Sequence, residues 1–462
     1  MALIEVGNLN GGDKDAINVI ATREHIIYAS RKKQLAINEL GFYGGRPYVD
    51  SRLSRFTGES SIDWEGGYRD GDGSKITGRK DQSYVTNHLG RICDKINQYV
   101  FSIEPIRTGI QPEIESKISS EGLSLNRFMI QVSSNITVSK WCWIGIDSPE
   151  TDLDQANIQL SLADKESLQI RPYWKLYTAL QVPDWYIDSN GELQWIITEG
   201  TEYIANDPLI KAQVFKVRRL WTKTGITKVI YDPNDLQKVK YMQVSPMDMA
   251  QIPFVLVNET SAYPYSFDNL ESINRTLMDL SSVNRANYFK SCYPQLYLPA
   301  SVLDSVMNAY GINADAATKK LMGWNYPILV GVDDKEPGYI MPDGNTIGKM
   351  REEINQLKEE MFENVGLLMR KSTKQAESAE AKSWDNVDLQ AVMKERAMIL
   401  EEAEKKAVMV SNEIDPDFGS WTPEYNRKFA VTNFEAEVSD MIIGPDKVEV
   451  KEETVEATEE GK

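Results

Sequence analysis

His25 and His88 are the only histidines in a chain of 462 residues. They fall in different segments. No second imidazole, thiol pair or serine–carboxylate set stands at the spacing that a metal centre or a nucleophilic relay needs. Each histidine therefore reads as a surface or helix-capping side chain. Cys93, Cys142 and Cys292 are widely separated. They offer neither a zinc-type pair nor a disulfide framework, and they read as buried reduced thiols. Asp70-Gly71-Asp72-Gly73-Ser74 opens like a calcium-binding loop, and Asp81 falls at its twelfth position. Lys75 sits sixth, where that loop needs glycine for its turn, and aspartate replaces the usual bidentate glutamate. The stretch reads as an ordinary surface loop. It also lacks the spacing of a phosphate-cradling loop, which leaves ATP hydrolysis without a site. No metal, no cofactor and no enzymatic activity are expected.

The chemistry that remains is electrostatic. Two doublets, Glu352-Glu353 and Glu359-Glu360, lie one heptad apart, with Glu363 close behind. They share residues 346–370 with an apolar series of Ile347, Met350, Ile354, Leu357, Met361, Val365 and Leu368. Spacings of three or four throughout predict a helix with a narrow apolar seam. At about 1.5 Å per residue it would span about 37 Å. The glutamates occupy its other faces, as a solvated surface or as a negative stripe. A polar interlude follows over residues 371–382. Lys371, Lys374, Gln375 and Lys382 could touch phosphate there, although Glu377 and Glu380 dilute the charge.

Positioning these groups calls for an α+β chain. Residues 1–83 are rich in Gly, Asp, Arg and Ser; 16–40 read as helix and 46–80 as irregular, with glycine turns. Helical spacing returns at 84–101 through Val85, Leu89, Ile92, Ile96 and Val100. It returns again from Ser124 through Leu125, Phe128, Met129, Val132 and Ile136. Strands are predicted at 141–146, 173–178, 185–187, 193–199, 239–244 and 253–257, with β character running through 213–231. Ser189-Asn190-Gly191 marks a hairpin turn. Residues 268–292 predict a helix. A small mixed segment follows, with strands at 296–298 and 328–330 and a short helix at 301–310. A second long helix is expected over 384–413, with Leu389, Met393, Ala397, Leu400, Ala403 and Ala407 as its stripe. A strand at 428–438 precedes a Glu- and Lys-rich tail expected to be disordered.

The formal net charge is -18, with 41% hydrophobic and 26% charged residues. A repressor or nuclease that grips DNA presents a basic surface, so this balance argues against both. It suits a wall past which DNA must slide, because an acidic surface repels phosphate. No window of 18 consecutive apolar residues predicts a membrane span. The first fourteen residues lack the pattern of a signal peptide.

Four short phrases, in order, resemble the portal proteins of tailed bacteriophages. Tyr173-Trp174-Lys175-Leu176-Tyr177, then Val182-Pro183-Asp184-Trp185 and the following turn, look like strands of the portal wing. Gln251-Ile252-Pro253-Phe254-Val255, ahead of a helix rich in Asn and Ser, is similar to the lead into the first stem helix. Pro294-Gln295-Leu296-Tyr297-Leu298 resembles the start of the clip. Gly338-Tyr339-Ile340-Met341-Pro342-Asp343-Gly344 resembles the return into the second stem helix. The resemblance runs from about residue 124 to 438.

The resemblance implies an N-terminal region and α/β wing at 1–267, stem helices at 268–293 and 344–371, and a clip at 294–343. It further implies a tunnel loop at 372–383, a long helix and returning strand at 384–443, and an acidic tail at 444–462. Portal chains often carry a helical crown; here the crown would be minimal. The implied protein is a structural subunit of a homo-oligomeric, dodecameric ring at one capsid vertex of the virion, assembled in the host cytoplasm. Double-stranded DNA would pass through the ring during packaging and ejection. Its partners would be the major capsid protein, the large terminase subunit and a head–tail adaptor, with no membrane. In that setting the tunnel-loop residues would meet DNA and the five glutamates would line the channel. The alternative is another virion protein, a minor capsid or adaptor protein without a channel.

Overall fold

Apolar spacing of three and four residues gives helices over most of the stretches where it predicts them; the helix expected over 84–101 begins only at His88, which leaves Val85 outside it. In helix Leu125–Ser139 the side chains of Leu125, Phe128, Met129, Val132 and Ile136 are all buried. In helix Val387–Ile414, hereafter the long helix, Met393, Ala397, Leu400, Ala403 and Ala407 are buried likewise. The computed structural model describes residues 4–5, 11–57, 59, 61–68, 75–147, 171–204, 213–232, 234–247, 249–259, 267–292, 295–299, 328–330, 338–340, 344–365, 387–427 and 429. They form a mixed α+β fold that divides into two compact units.

The first unit comprises Met1–Gly44, Asn87–Glu271 and Val387–Phe429. Its larger sheet has six antiparallel strands. Their order is Ile4–Glu5, Asp235–Pro246, Gly225–Asp232, Gln213–Thr222, Leu193–Ile204 and Asp184–Ile187. Residues 213–231 are thus a hairpin and not one run. Its turn needs Gly225 at φ 152, where a Cβ would lie 2.6 Å from the Ser245 carbonyl oxygen. The smaller sheet places Trp141–Asp147 between Phe254–Asn258 and Tyr173–Thr178. Its central strand is buried on both faces, which explains its unbroken apolar character. Leu35, Trp143, Tyr177, Ile196, Trp221 and Phe254 meet in one core.

Residues 16–40, expected as one helix, form parts of two: Gly11–Thr22 and Ile26–Tyr43. The break is held from outside. Arg23 Nε donates to Asp184 Oδ2 at 2.6 Å, and the His25 amide donates to the Pro183 carbonyl at 2.9 Å. His25 caps the second helix, its Nδ1 accepting from the Ile27 amide, and its ring stacks on Trp185 at 4.1 Å.

Buried ion pairs tie the long helix to distant strands. Arg107 Nε donates to Glu404 Oε1 at 2.7 Å and its Nη2 to Oε2 at 3.1 Å. Trp421 Nε1 and Tyr425 Oη also donate to Glu404, at 2.8 and 2.7 Å. Arg107 lies on strand Ile106–Thr108, which pairs antiparallel with Thr422–Glu424. That two-stranded ribbon is not foreseen by the sequence, since three-residue strands carry too little pattern. Farther up the helix, Arg396 Nη2 donates to Glu259 Oε1 at 3.0 Å and Nη1 to the Ser133 carbonyl at 3.1 Å. Burial pushes the Glu259 carboxyl above its ordinary range despite that arginine.

The second unit comprises Gly45–Thr86, Ser272–Asn386 and Ala430–Lys462. Residues 46–80, expected as irregular, contain helices Gly45–Arg52, Ser61–Glu65 and the start of Arg79–Gln82, and a ribbon pairing Gly66–Tyr68 with Lys75–Thr77. Their order comes from Arg79, whose side chain is 8% exposed. It bonds both carboxylate oxygens of Glu59 at 2.7 Å, the Ser54 carbonyl at 2.6 Å and Ser282 Oγ at 2.7 Å. Its guanidinium also covers the rings of Phe56 and Trp64. Ser282 belongs to helix Phe267–Cys292, so this segment is fastened to that helix. A three-stranded sheet places Gln295–Pro299 parallel to Ile328–Val330 and antiparallel to Gly338–Ile340. The expected short helix at 301–310, the strand at 428–438 apart from residue 429, the tail after Gly444 and the loop 70–74 lie outside the described residues.

Arg107→Ala or Arg396→Ala, each stranding a buried carboxylate, is expected to lower unfolding free energy by about 3–5 kcal/mol in chemical denaturation. A loss below about 1 kcal/mol would show that the pair does not hold its segment.

Candidate functional site

The acidic helix Gly344–Glu363 is set by its two opposed faces. At about 100° per residue, Ile347, Met350, Ile354, Leu357, Met361 and Val365 fall within about 80° of one another. Ile354, Met361 and Val365 are buried, as is Phe362 beside them, and the other three are half-buried. Glu352, Glu353, Glu359, Glu360 and Glu363 fall within about 120° on the opposite side. Glu352, Glu353, Glu360 and Glu363 are exposed, and Glu359 is half-buried. The structure therefore brings the five predicted glutamates to one helix face. Exposed Lys349 sits on that side as well, near its N-terminal end. Among the described residues no cation pairs with Glu352, Glu353, Glu360 or Glu363.

This arrangement works against the helix that carries it. Glu359 and Glu363 are like charges four residues apart, which destabilises by about 0.2–0.5 kcal/mol. The last turn holds no basic residue, so the glutamates face the negative end of the helix dipole. Helix stability gives no reason for their placement. Lys358, between the two faces, has its ammonium pulled below its ordinary range by burial. Asn287 of helix Phe267–Cys292 approaches Met350 Sδ at 4.0 Å within the same unit.

Lys371, Lys374, Gln375 and Lys382, the expected tunnel-loop residues, lie outside the described residues, as does Leu368. His25 is the helix cap already described, and His88 is buried at the start of helix His88–Val100. Burial pushes the thiols of Cys93 and Cys142 up to about 12, so neither is a nucleophile at neutral pH. Asp81 pairs with Arg46 at 3.0 Å. Among the described residues no group of three His, Cys, Asp or Glu side chains could hold a metal ion, and no helix is long and apolar enough to cross a membrane.

No protein-family model matches the chain, and no curated protein matches it. The described residues define an α+β protein in which one helix presents an acidic face carrying the exposed Glu352, Glu353, Glu360 and Glu363.

Neutralising that face with Glu352→Gln, Glu353→Gln, Glu360→Gln and Glu363→Gln together is expected to leave thermal stability unchanged or raise it by about 1 kcal/mol. A marked fall in unfolding temperature would show that these carboxylates hold the fold.

Proposed function

We propose that the chain is a structural subunit of a tailed-phage portal, assembling into a ring whose channel passes double-stranded DNA. The observation that carries this reading is the acidic helix: one face packed, and the opposite face carrying the exposed Glu352, Glu353, Glu360 and Glu363, which have no cation partner among the described residues. A closed ring repeats that face around its axis. Phosphate at such a wall meets like charge and a continuous water layer, so a duplex moves along it without seating. The order of wing-like strands, helix, small sheet, helix and long helix fits the resemblance noted in the sequence. The glutamates would line the channel, and Lys371, Lys374, Gln375 and Lys382 would project into it. The small sheet region would dock the terminase and later a head–tail adaptor, while other faces meet the major capsid protein. A separate ATPase would drive translocation.

Negative-stain images of the purified full chain should show rings with a central hole. A uniform monomer or an assembly without a hole would overturn the reading. Reversing the face with Glu352→Lys, Glu353→Lys, Glu360→Lys and Glu363→Lys should make the ring retain DNA at low salt, with affinity falling steeply as salt rises. Unchanged DNA retention would place the face away from the channel.

A further inference from the structure

We propose that a groove in the first unit binds a free linear aliphatic ammonium ion, with the Glu39 carboxylate as its anchor. The groove has a volume of about 510 Å³. Helix Ile26–Tyr43 contributes Glu39, the segment after strand Tyr173–Thr178 contributes Leu180 and Gln181, and strands Leu193–Ile204 and Gln213–Thr222 contribute Thr201 and Lys216. Every wall belongs to the one unit. A space of this size takes a whole small ligand and not one side-chain tip.

The charges in the groove do not balance locally. Glu199 is answered twice, by Lys216 Nζ and Arg218 Nε, each at 2.8 Å. Glu39 is half-buried and has no hydrogen-bond or ion-pair partner among the described residues. Burial raises its carboxyl above the ordinary range, and burial with the Glu39 charge raises the neighbouring Tyr43 phenol. A half-buried carboxylate without a counter-ion is relieved most by a cation that brings its own donors. The hydroxyl of Thr201 and the amide of Gln181 offer further polar contacts, while Leu180 and Val214 give an apolar wall for a methylene stem. Gly200 leaves the floor open, since a Cβ there would meet nothing within 4 Å. An alkylammonium fits this combination; a bare metal ion would leave the apolar wall unused, and an anion would be repelled.

Spermidine titrated into the full chain by calorimetry at physiological salt is the test. A chain of net charge -18 attracts any polycation weakly, so the control is Glu363→Gln, which removes one exposed charge elsewhere. Wild type and Glu363→Gln should show the same saturable single-site binding, and Glu39→Gln should weaken it about tenfold. Thr201→Val, on the opposite wall, should give a smaller loss. Glu39→Gln should unfold at or above the wild-type temperature, which separates lost binding from lost fold. Equal weakening in Glu363→Gln, or undiminished binding in Glu39→Gln, would overturn the proposal. So would a Glu39→Gln change in assembly state with spermidine binding intact, because the carboxylate would then serve a protein contact.

Discussion

Two arginine–glutamate contacts removed from water fix the long helix and, through it, the rest of the first unit. The side chains of Arg107 and Glu404 are 1% and 0% exposed, and those of Arg396 and Glu259 are 1% and 3%. Ions buried to that degree are tolerated only when paired and hydrogen-bonded, so three chain segments must meet in one geometry. Apolar burial supplies more free energy but is not directional. The polar contacts set register. Glu404 takes donors on both oxygens from Arg107, Trp421 and Tyr425. One turn earlier, Glu401 holds Lys405, Arg427 and the Tyr425 amide. Residues 421–427 are thereby held to the helix by donors as much as by apolar contact. Glu259 directly follows strand Phe254–Asn258, so the second pair sets the smaller sheet against the same helix.

Elements with a long repeating pattern were legible in the sequence, because burial on one face writes a period into it. Helix Leu125–Ser139 begins within a residue of its predicted start, and helix Phe267–Cys292 and strand Tyr173–Thr178 fall within a residue of their predicted bounds. What was not legible depends on partners far along the chain. Helix Gly45–Arg52 is polar along most of its length, and its segment is ordered by Arg79 reaching Glu59, Ser54 and Ser282. The ribbon of Ile106–Thr108 with Thr422–Glu424 depends on Arg107 finding a carboxylate about three hundred residues away in sequence. For the acidic helix, spacing placed all five glutamates off the apolar seam. For the groove it could not, since residues 39, 181, 201 and 216 become neighbours only when helix and sheet are packed.

Angle from the apolar stripe sorts the carboxylates of this chain by role. On the long helix, Glu404 lies between Ala397 and Leu400 at about 100° per residue, inside the stripe. A carboxylate there cannot reach water, and Glu404 accordingly has a full set of donors. On the acidic helix the glutamates lie opposite the stripe, where water solvates them and no partner is required. Glu39 breaks the rule. It stands about 40° from Leu35, which is 1% exposed, at the edge of the packed side of its helix, and is half-buried. It has neither the donors of Glu404 nor the full exposure of Glu352. A half-buried charge at the edge of the stripe, without a donor, is only partly offset by water. That sets Glu39 apart from the structural carboxylates and from the fully solvated ones, and leaves its charge unanswered at the groove among the described residues.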